Sequence, residues 1–139
     1  MTAVIGQFFP YAQATADITV RVAPHYLPEQ SDPDRGYFVW SYHVRVENDG
    51  LQPVRLMARR WTIIDGMGRT EEVAGDGVVG VQPLIVPGGA YDYVSGCPLA
   101  TASGRMHGRY VMMSDDGERF MVDIPHFDLE QPGPRPAVH

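Results

Sequence analysis

Between Phe38 and Val46 the chain alternates, unbroken from Trp40 onward. Phe38, Trp40, Tyr42, Val44 and Val46 are apolar, and Ser41, His43 and Arg45 between them are polar, with Glu47 continuing the polar set. Successive side chains of an extended backbone point to opposite faces, so a period of two over this length specifies a strand with one buried side. A helix would scatter the same residues around its circumference. Ile18, Val20 and Val22, interleaved with Thr19 and Arg21, give a shorter strand of the same kind upstream. Asn48-Asp49-Gly50 is a strong turn signal.

The same period recurs downstream. Pro24, Pro28 and Pro33 break the chain into a loop holding EQSDPDRG. After Pro53, VRLMARRWTIID reads as a strand whose alternation slips around Met57 to Arg60, which predicts a bulge or an exchange of faces. TEEV and AYDYVSG are extended. RYVMMS and ERFMVDI form a hairpin around Asp115-Asp116-Gly117, with Phe120, Val122 and Ile124 on the buried face. No segment carries a 3.6-residue apolar period, so no helix longer than about two turns is expected. The sum is an all-β chain of about seven or eight strands joined by short turns, an immunoglobulin- or fibronectin type III-like β-sandwich. Residues 1–14 read as an N-terminal segment ordered only in part, 15–130 as the sandwich domain, and 131–139 (QPGPRPAVH) as a Pro-rich extended tail.

A chain of 139 residues buries about two-thirds of its unfolded surface and needs no disulfide or structural metal to hold a core. Its net charge of -6 argues against general nucleic-acid binding, which needs a basic surface, and against a surface that seeks anionic lipid. The N-terminus has no basic side chain before its apolar stretch, and Pro10 cuts that stretch short, so neither a secretory leader nor membrane insertion is expected. The single cysteine, Cys97, points to a reducing compartment and a cytoplasmic location. All eleven basic side chains are arginine. A Schiff-base lysine, a lysine general base and a Walker-type P-loop are therefore excluded.

Gly75, Gly77 and Gly80 form a G-x-G-x-x-G string. In a dinucleotide-binding unit such glycines lead a strand into a helix whose N-terminus holds a pyrophosphate. Here Val81, Gln82 and Pro83 follow, with Pro87 beyond, and no helix starts. A glycine-rich connection is the plain reading, and a nest of backbone N–H groups for an anion is the alternative. The histidines His25, His43, His107 and His126, and the acids Glu29, Asp32, Asp34 and Asp128, lack the dense spacing of metal ligands. No metal or cofactor is expected. Cys97-Pro98 carries no nucleophile signature and reads as an unreactive, partly buried thiol. Arg59, Arg60 and Trp61 combine the residue types favoured at interfaces, although Trp61 fits the core better, as Trp40 does.

Several stretches resemble the ApaG domain family: EQS at Glu29 to Ser31, RWTIIDGMG from Arg60 to Gly68, GDGVVGVQPLIVPGG from Gly75 to Gly89, YVSG ending at Gly96, SGRMHGRY from Ser103 to Tyr110, and IPHFDLE from Ile124 to Glu130. Their order and spacing match from about the first strand to the tail. Two positions depart from the usual pattern: Arg60 stands where the family has histidine, and Val81 where it has an acidic residue. The resemblance implies an immunoglobulin- or fibronectin-like sandwich and a role in partner binding, with a link to cobalt and magnesium homeostasis in bacterial members. The expected function is a protein-interaction module, not an enzyme, with no catalytic residues. Its candidate contacts are Gly75, Asp76, Gly77, Gly80, Gln82, Arg59 and Arg60. A homodimer through a sheet edge is compatible with this reading. The alternative is a phosphate, nucleotide or divalent-cation binding protein or hydrolase built on the Gly-rich loop.

Overall fold

Period-two burial is realised along β3 (Phe38–Asn48) from Trp40 onward, where Trp40, Tyr42, Val44 and Val46 are buried and Ser41, His43, Arg45 and Glu47 are half-buried, while Phe38 and Val39 at its start are both buried. The structure, a computed structural model, describes residues 8–133; the expectations for residues 1–7 and for the tail beyond 133 lie outside the described residues. The remaining strands are β1 (Tyr11–Thr15), β2 (Ile18–Tyr26), β4 (Val54–Asp65), β5 (Thr70–Asp76), β6 (Leu84–Ile85), β7 (Ala90–Leu99), β8 (Ser103–Ser114) and β9 (Arg119–Glu130). Two 3-10 turns, at Pro28–Gln30 and Pro33–Arg35, lie between β2 and β3.

All pairings are antiparallel. One sheet runs β1-β2-β3-β7, and the other runs β5-β4-β8-β9 with β6 also beside β4. The two apolar inner faces make one core, so the expected all-β sandwich is the fold. The strand count is nine rather than seven or eight. One addition is β6, only two residues long. The other is β1, whose Tyr11-Ala-Gln-Ala-Thr15 sequence has no run of strand formers and enters β2 through Ala16, at φ 51, without the Asn-Gly pair that marks such a turn. Asn48-Asp49-Gly50 does turn the chain, but it carries β3 of the first sheet over to β4 of the second. The buried Asn48 side chain fixes that crossing, donating to the carbonyls of Gln52 at 2.8 Å and Ile85 at 3.0 Å.

Both tryptophans are core residues, as their sequence context predicts: Trp40 is 1% and Trp61 4% exposed. Trp61 meets Tyr42, Phe127 and Tyr110 edge-on, with ring centroids 5.3, 5.9 and 6.4 Å apart, the favoured geometry for aromatic pairs. The two sides of the sandwich differ. On one, β1 covers the outer edge of β9: the Asp123 N–H donates to Thr15 Oγ1 at 3.0 Å and the Asp128 N–H to the Tyr11 hydroxyl at 3.3 Å. On the other, β5 pairs only with β4 and β7 only with β3, leaving one edge of each without a strand among the described residues.

Candidate functional site

The slip in alternation on β4 is a bulge at Met57, between Leu56 and Ala58. A bulge turns a carbonyl out of the ladder. The Met57 carbonyl accepts from the Gly77 N–H at 2.7 Å and from Gln82 Nε2 at 2.9 Å. The Gly-rich segment is thereby tied to the bulge. Arg59 adds a second brace, its Nη1 donating to the carbonyls of Asp76 and Gly77 at 3.0 Å each. Arg55 Nη1 donates to the Gln82 carbonyl at 2.8 Å, and the Leu56 N–H to the Pro83 carbonyl at 3.0 Å. Gly77 is required here, since a Cβ at that position would lie 2.1 Å from the Val81 carbonyl oxygen.

Between Val78 and Val81 the chain makes a two-residue turn closed by both N–H···O bonds, at 2.8 and 3.0 Å. Its central residues, Val79 at φ 47 and Gly80 at φ 81, are both left-handed, as a type I′ turn demands. Asparagine or glycine is the usual occupant. A β-branched residue there is an outlier that costs about 1–2 kcal/mol. The Val79 side chain is 63% exposed, and Val81, Leu84 and Val86 of the same segment are 46, 52 and 56% exposed.

Of the residues singled out in the sequence, Gly75, Asp76, Gly77, Gly80, Gln82 and Arg59 come together in this loop. Several of their polar groups are already engaged: Arg59 and Gln82 hold carbonyls, and the N–H groups of Gly77, Val78 and Val81 are bonded within the protein. An anion nest needs converging free N–H groups, and these three are spent. Arg60 lies elsewhere. Being next to Arg59 on a strand, it faces the outer side of the sheet, where it lines a groove of ≈ 660 Å³ with Gln13, Thr62, Glu72, His107, Arg109, Asp123 and His126. His107 and His126 are a feature that the sequence reading treated as separate residues. Their rings stack 4.4 Å apart at 9°. Counting outward from the Asp115–Gly117 turn along the two arms of the hairpin sets His107 opposite Pro125, and only the bulge between Met106 and Gly108, which has no mark in the sequence, brings it against His126.

Beneath the loop, Tyr42, Tyr93 and Tyr110 cluster near Arg59. The hydroxyls of Tyr93 and Tyr110 hydrogen-bond to each other, and burial raises the pKa of all three. Burial, with a smaller push from Glu71, raises the Cys97 thiol to about 11, so the neutral thiol dominates at physiological pH. Among the described residues no three His, Cys, Asp or Glu side chains are grouped to hold a metal ion, and no helix is long and apolar enough to cross a membrane. On the outer face of the first sheet, Asp92 pairs with His43 Nε2 and with Arg45 Nη1, both at 2.8 Å, and Phe9 packs edge-on against His43.

Comparison with known proteins fits this geometry. A family model for the ApaG domain matches residues 28–114. The chain is similar to the protein ApaG of Parvibaculum lavamentivorans, 49% identical over 129 residues that cover 93% of this chain and 99% of the relative. It is 53% identical over 123 residues to the protein ApaG of Caulobacter vibrioides, covering 88% of each. The crystal structure of the ApaA protein from Bordetella pertussis superposes with a TM-score of 0.82 at 47% identity, covering 84% of this chain and 94% of that one.

Proposed function

The chain belongs to the ApaG domain family, and from that premise we propose that it is a protein-interaction module whose recognition element is the Gly-rich loop together with the open edge of β5. The observation that carries this reading is Val79. A strained turn, braced by Arg59, Gln82 and the Met57 bulge, holds an apolar side chain out in solvent, with Val81, Leu84 and Val86 exposed in the same segment. Backbone strain of this kind persists only where the surroundings enforce it, and it concentrates at sites that bind.

The adjoining edge suggests the form of the partner. Natural edge strands are blunted by charged side chains, above all lysine, and by proline, bulges or covering segments. No proline occurs in β5, the chain has no lysine, and the pairing of β5 with β4 is regular. An extended segment can add to such an edge by backbone pairing. Glu71, Glu72 and Asp76 favour a segment that carries basic residues, and they disfavour self-pairing of two copies by like-charge repulsion. On this reading the divalent-cation homeostasis implied by the resemblance is exerted through the partner.

Quantitative affinity capture from the source cell tests the proposal. Wild type, a V79N/V81T chain and a control chain with R119Q, an exposed position at the start of β9, would each be used as bait. Preys enriched by wild type and the control, and lost with V79N/V81T, support the loop as the contact. Identical prey profiles for all three would refute it. The phosphate-binding alternative predicts instead a nucleotide or phosphate titration that shifts the amides of residues 75–82.

A further inference from the structure

Across the outer face of the second sheet, the register sets Ala74, Arg60, Arg109 and Asp123 in one row, one residue from each of β5, β4, β8 and β9. Two arginines directly opposite each other in an antiparallel ladder repel. Arg109 is balanced by Asp123, with Nε 3.2 Å from Oδ1. Arg60 has only Ala74 on its other side, and among the described residues no carboxylate lies within ion-pair distance of it. The next row holds Glu72, Thr62 and His107. There a bulge between Met106 and Gly108 re-aims the strand so that His107 stacks on His126. Together these residues line the outer-face groove.

A local rule broken with no structural return is the mark of a functional position. An unbalanced pair of guanidinium groups is relieved by an anion between them, and their forked donors match the oxygens of a carboxylate or phosphate. We propose that this groove is an oxyanion-binding site in which a phosphate or carboxylate group bridges Arg60 and Arg109, flanked by His107 and the Thr62 hydroxyl. The surroundings agree. Partial burial holds His107 below its ordinary pKa, with smaller contributions from His126 and Arg105, and the register adds Arg60 and Arg109 in the adjoining row. Glu72 at one end and Asp123 at the other limit the site to a compact anionic group and reject a polyanion. The site is separate from the Gly-rich loop, since Arg60 faces away from it, and either assignment stands if the other fails.

The test is an amide and histidine NMR titration of the full chain with sodium phosphate and, separately, sodium acetate, each against sodium chloride at matched ionic strength. Saturable shifts are expected at Arg60, His107 and Arg109, with the His107 titration moving upward as the anion binds beside it. R60Q should weaken binding about tenfold or more, R60Q/R109Q should abolish it, and R119Q should leave it unchanged. Saturation by phosphate alone assigns a phosphate ligand, by acetate alone a carboxylate ligand, and by both a general oxyanion site. No saturable change beyond chloride, or equal affinity in wild type and R60Q/R109Q, overturns the proposal. The His107 titration in wild type needs no variant to fold.

Discussion

Arg59 and Arg60 are neighbours in sequence and serve opposite faces of one sheet. Arg59 Nη1 sits 3.0 Å from both the Asp76 and Gly77 carbonyls beneath the loop, whereas Arg60 stands exposed on the outer face beside Arg109. A strand makes this separation unavoidable, because adjacent side chains point to opposite sides. Arginine at 59 therefore acts through backbone carbonyls. Arg59→Ala should cost about 1–3 kcal/mol, the range for losing charge-assisted hydrogen bonds to partly buried acceptors. Urea unfolding reads that loss. Amide exchange at residues 77–81 should quicken well beyond the change in global stability. Unchanged exchange in that segment would show that Met57 and Gln82 hold the loop without Arg59.

Val79 and Gly77 should respond in opposite directions. Val79→Asn places a residue tolerant of the left-handed region at φ 47 and should stabilise the fold by about 0.5–1 kcal/mol while removing the exposed apolar tip. Gly77→Ala forces a Cβ into the Val81 carbonyl and should destabilise by about 2 kcal/mol or more. Paired thermal melts measure both signs. A stability loss in Val79→Asn would mean that the valine side chain is held by contacts stronger than the backbone strain.

Much of the fold is legible in the sequence because burial is one-sided. The alternation from Trp40 to Glu47 has a single solution with a dry face and a wet face, whereas Trp61 joins Val54 and Leu56 on the dry face of β4 only because the Met57 bulge shifts the count by one. The loop glycines and the Met57 slip are legible too, since each breaks the pattern at the residue where the structure departs from a regular strand. Tyr11–Thr15 is illegible for the converse reason: it is held by backbone pairing with β2, by the Tyr11 ring on Phe127 and by the Tyr11 and Thr15 hydroxyls on β9, none of which leaves a periodic apolar signal. The outer-face groove depends on register across four strands. Adjacent positions such as Arg59 and Arg60 look like one patch until the strand separates them, and distant ones such as Arg60 and Arg109 meet only through pairing.

Stability should be level across neutral pH and fall in alkali. Ordinary thiols and phenols ionise near 8.5 and near 10. In the native protein Cys97 is raised to about 11, and Tyr42, Tyr93 and Tyr110 are raised as well. As pH rises past the ordinary values, the unfolded chain loses these protons while the native one keeps them. The unfolded state then binds fewer protons and native stability declines, by about 1.4 kcal/mol per pH unit for each such group. Urea midpoints between pH 7 and 11 measure the slope. Tyr93→Phe/Tyr110→Phe together should make it shallower. At neutral pH Tyr110→Phe alone should cost more than the double change relative to its size, since it strands the Tyr93 hydroxyl without its partner. For the same reason as the alkaline slope, Cys97 should resist alkylation at pH 8 until the protein is unfolded.

The open edge of β5 makes a positional prediction that does not require knowing its partner. In an edge strand the N–H groups of alternate residues point into the sheet and out to solvent, so proline substitutions must sort by parity. Glu71 and Val73 form one class, and Glu72 and Ala74 the other. One class loses a ladder bond to β4 on becoming proline and should cost about 3 kcal/mol. The other removes only an outward donor and should leave the melting transition within about 0.5 kcal/mol of wild type. Equal, large losses in both classes would show that something on the second edge already pairs with β5, and the strand would then not be free to receive a partner. With the tolerated class identified, the same variants separate two modes of binding. Backbone addition to β5 predicts that outward prolines abolish capture of the preys that depend on Val79, since each deletes a hydrogen bond that the added strand would accept. If those well-folded variants still capture them at wild-type levels, recognition runs through the side chains of the loop alone.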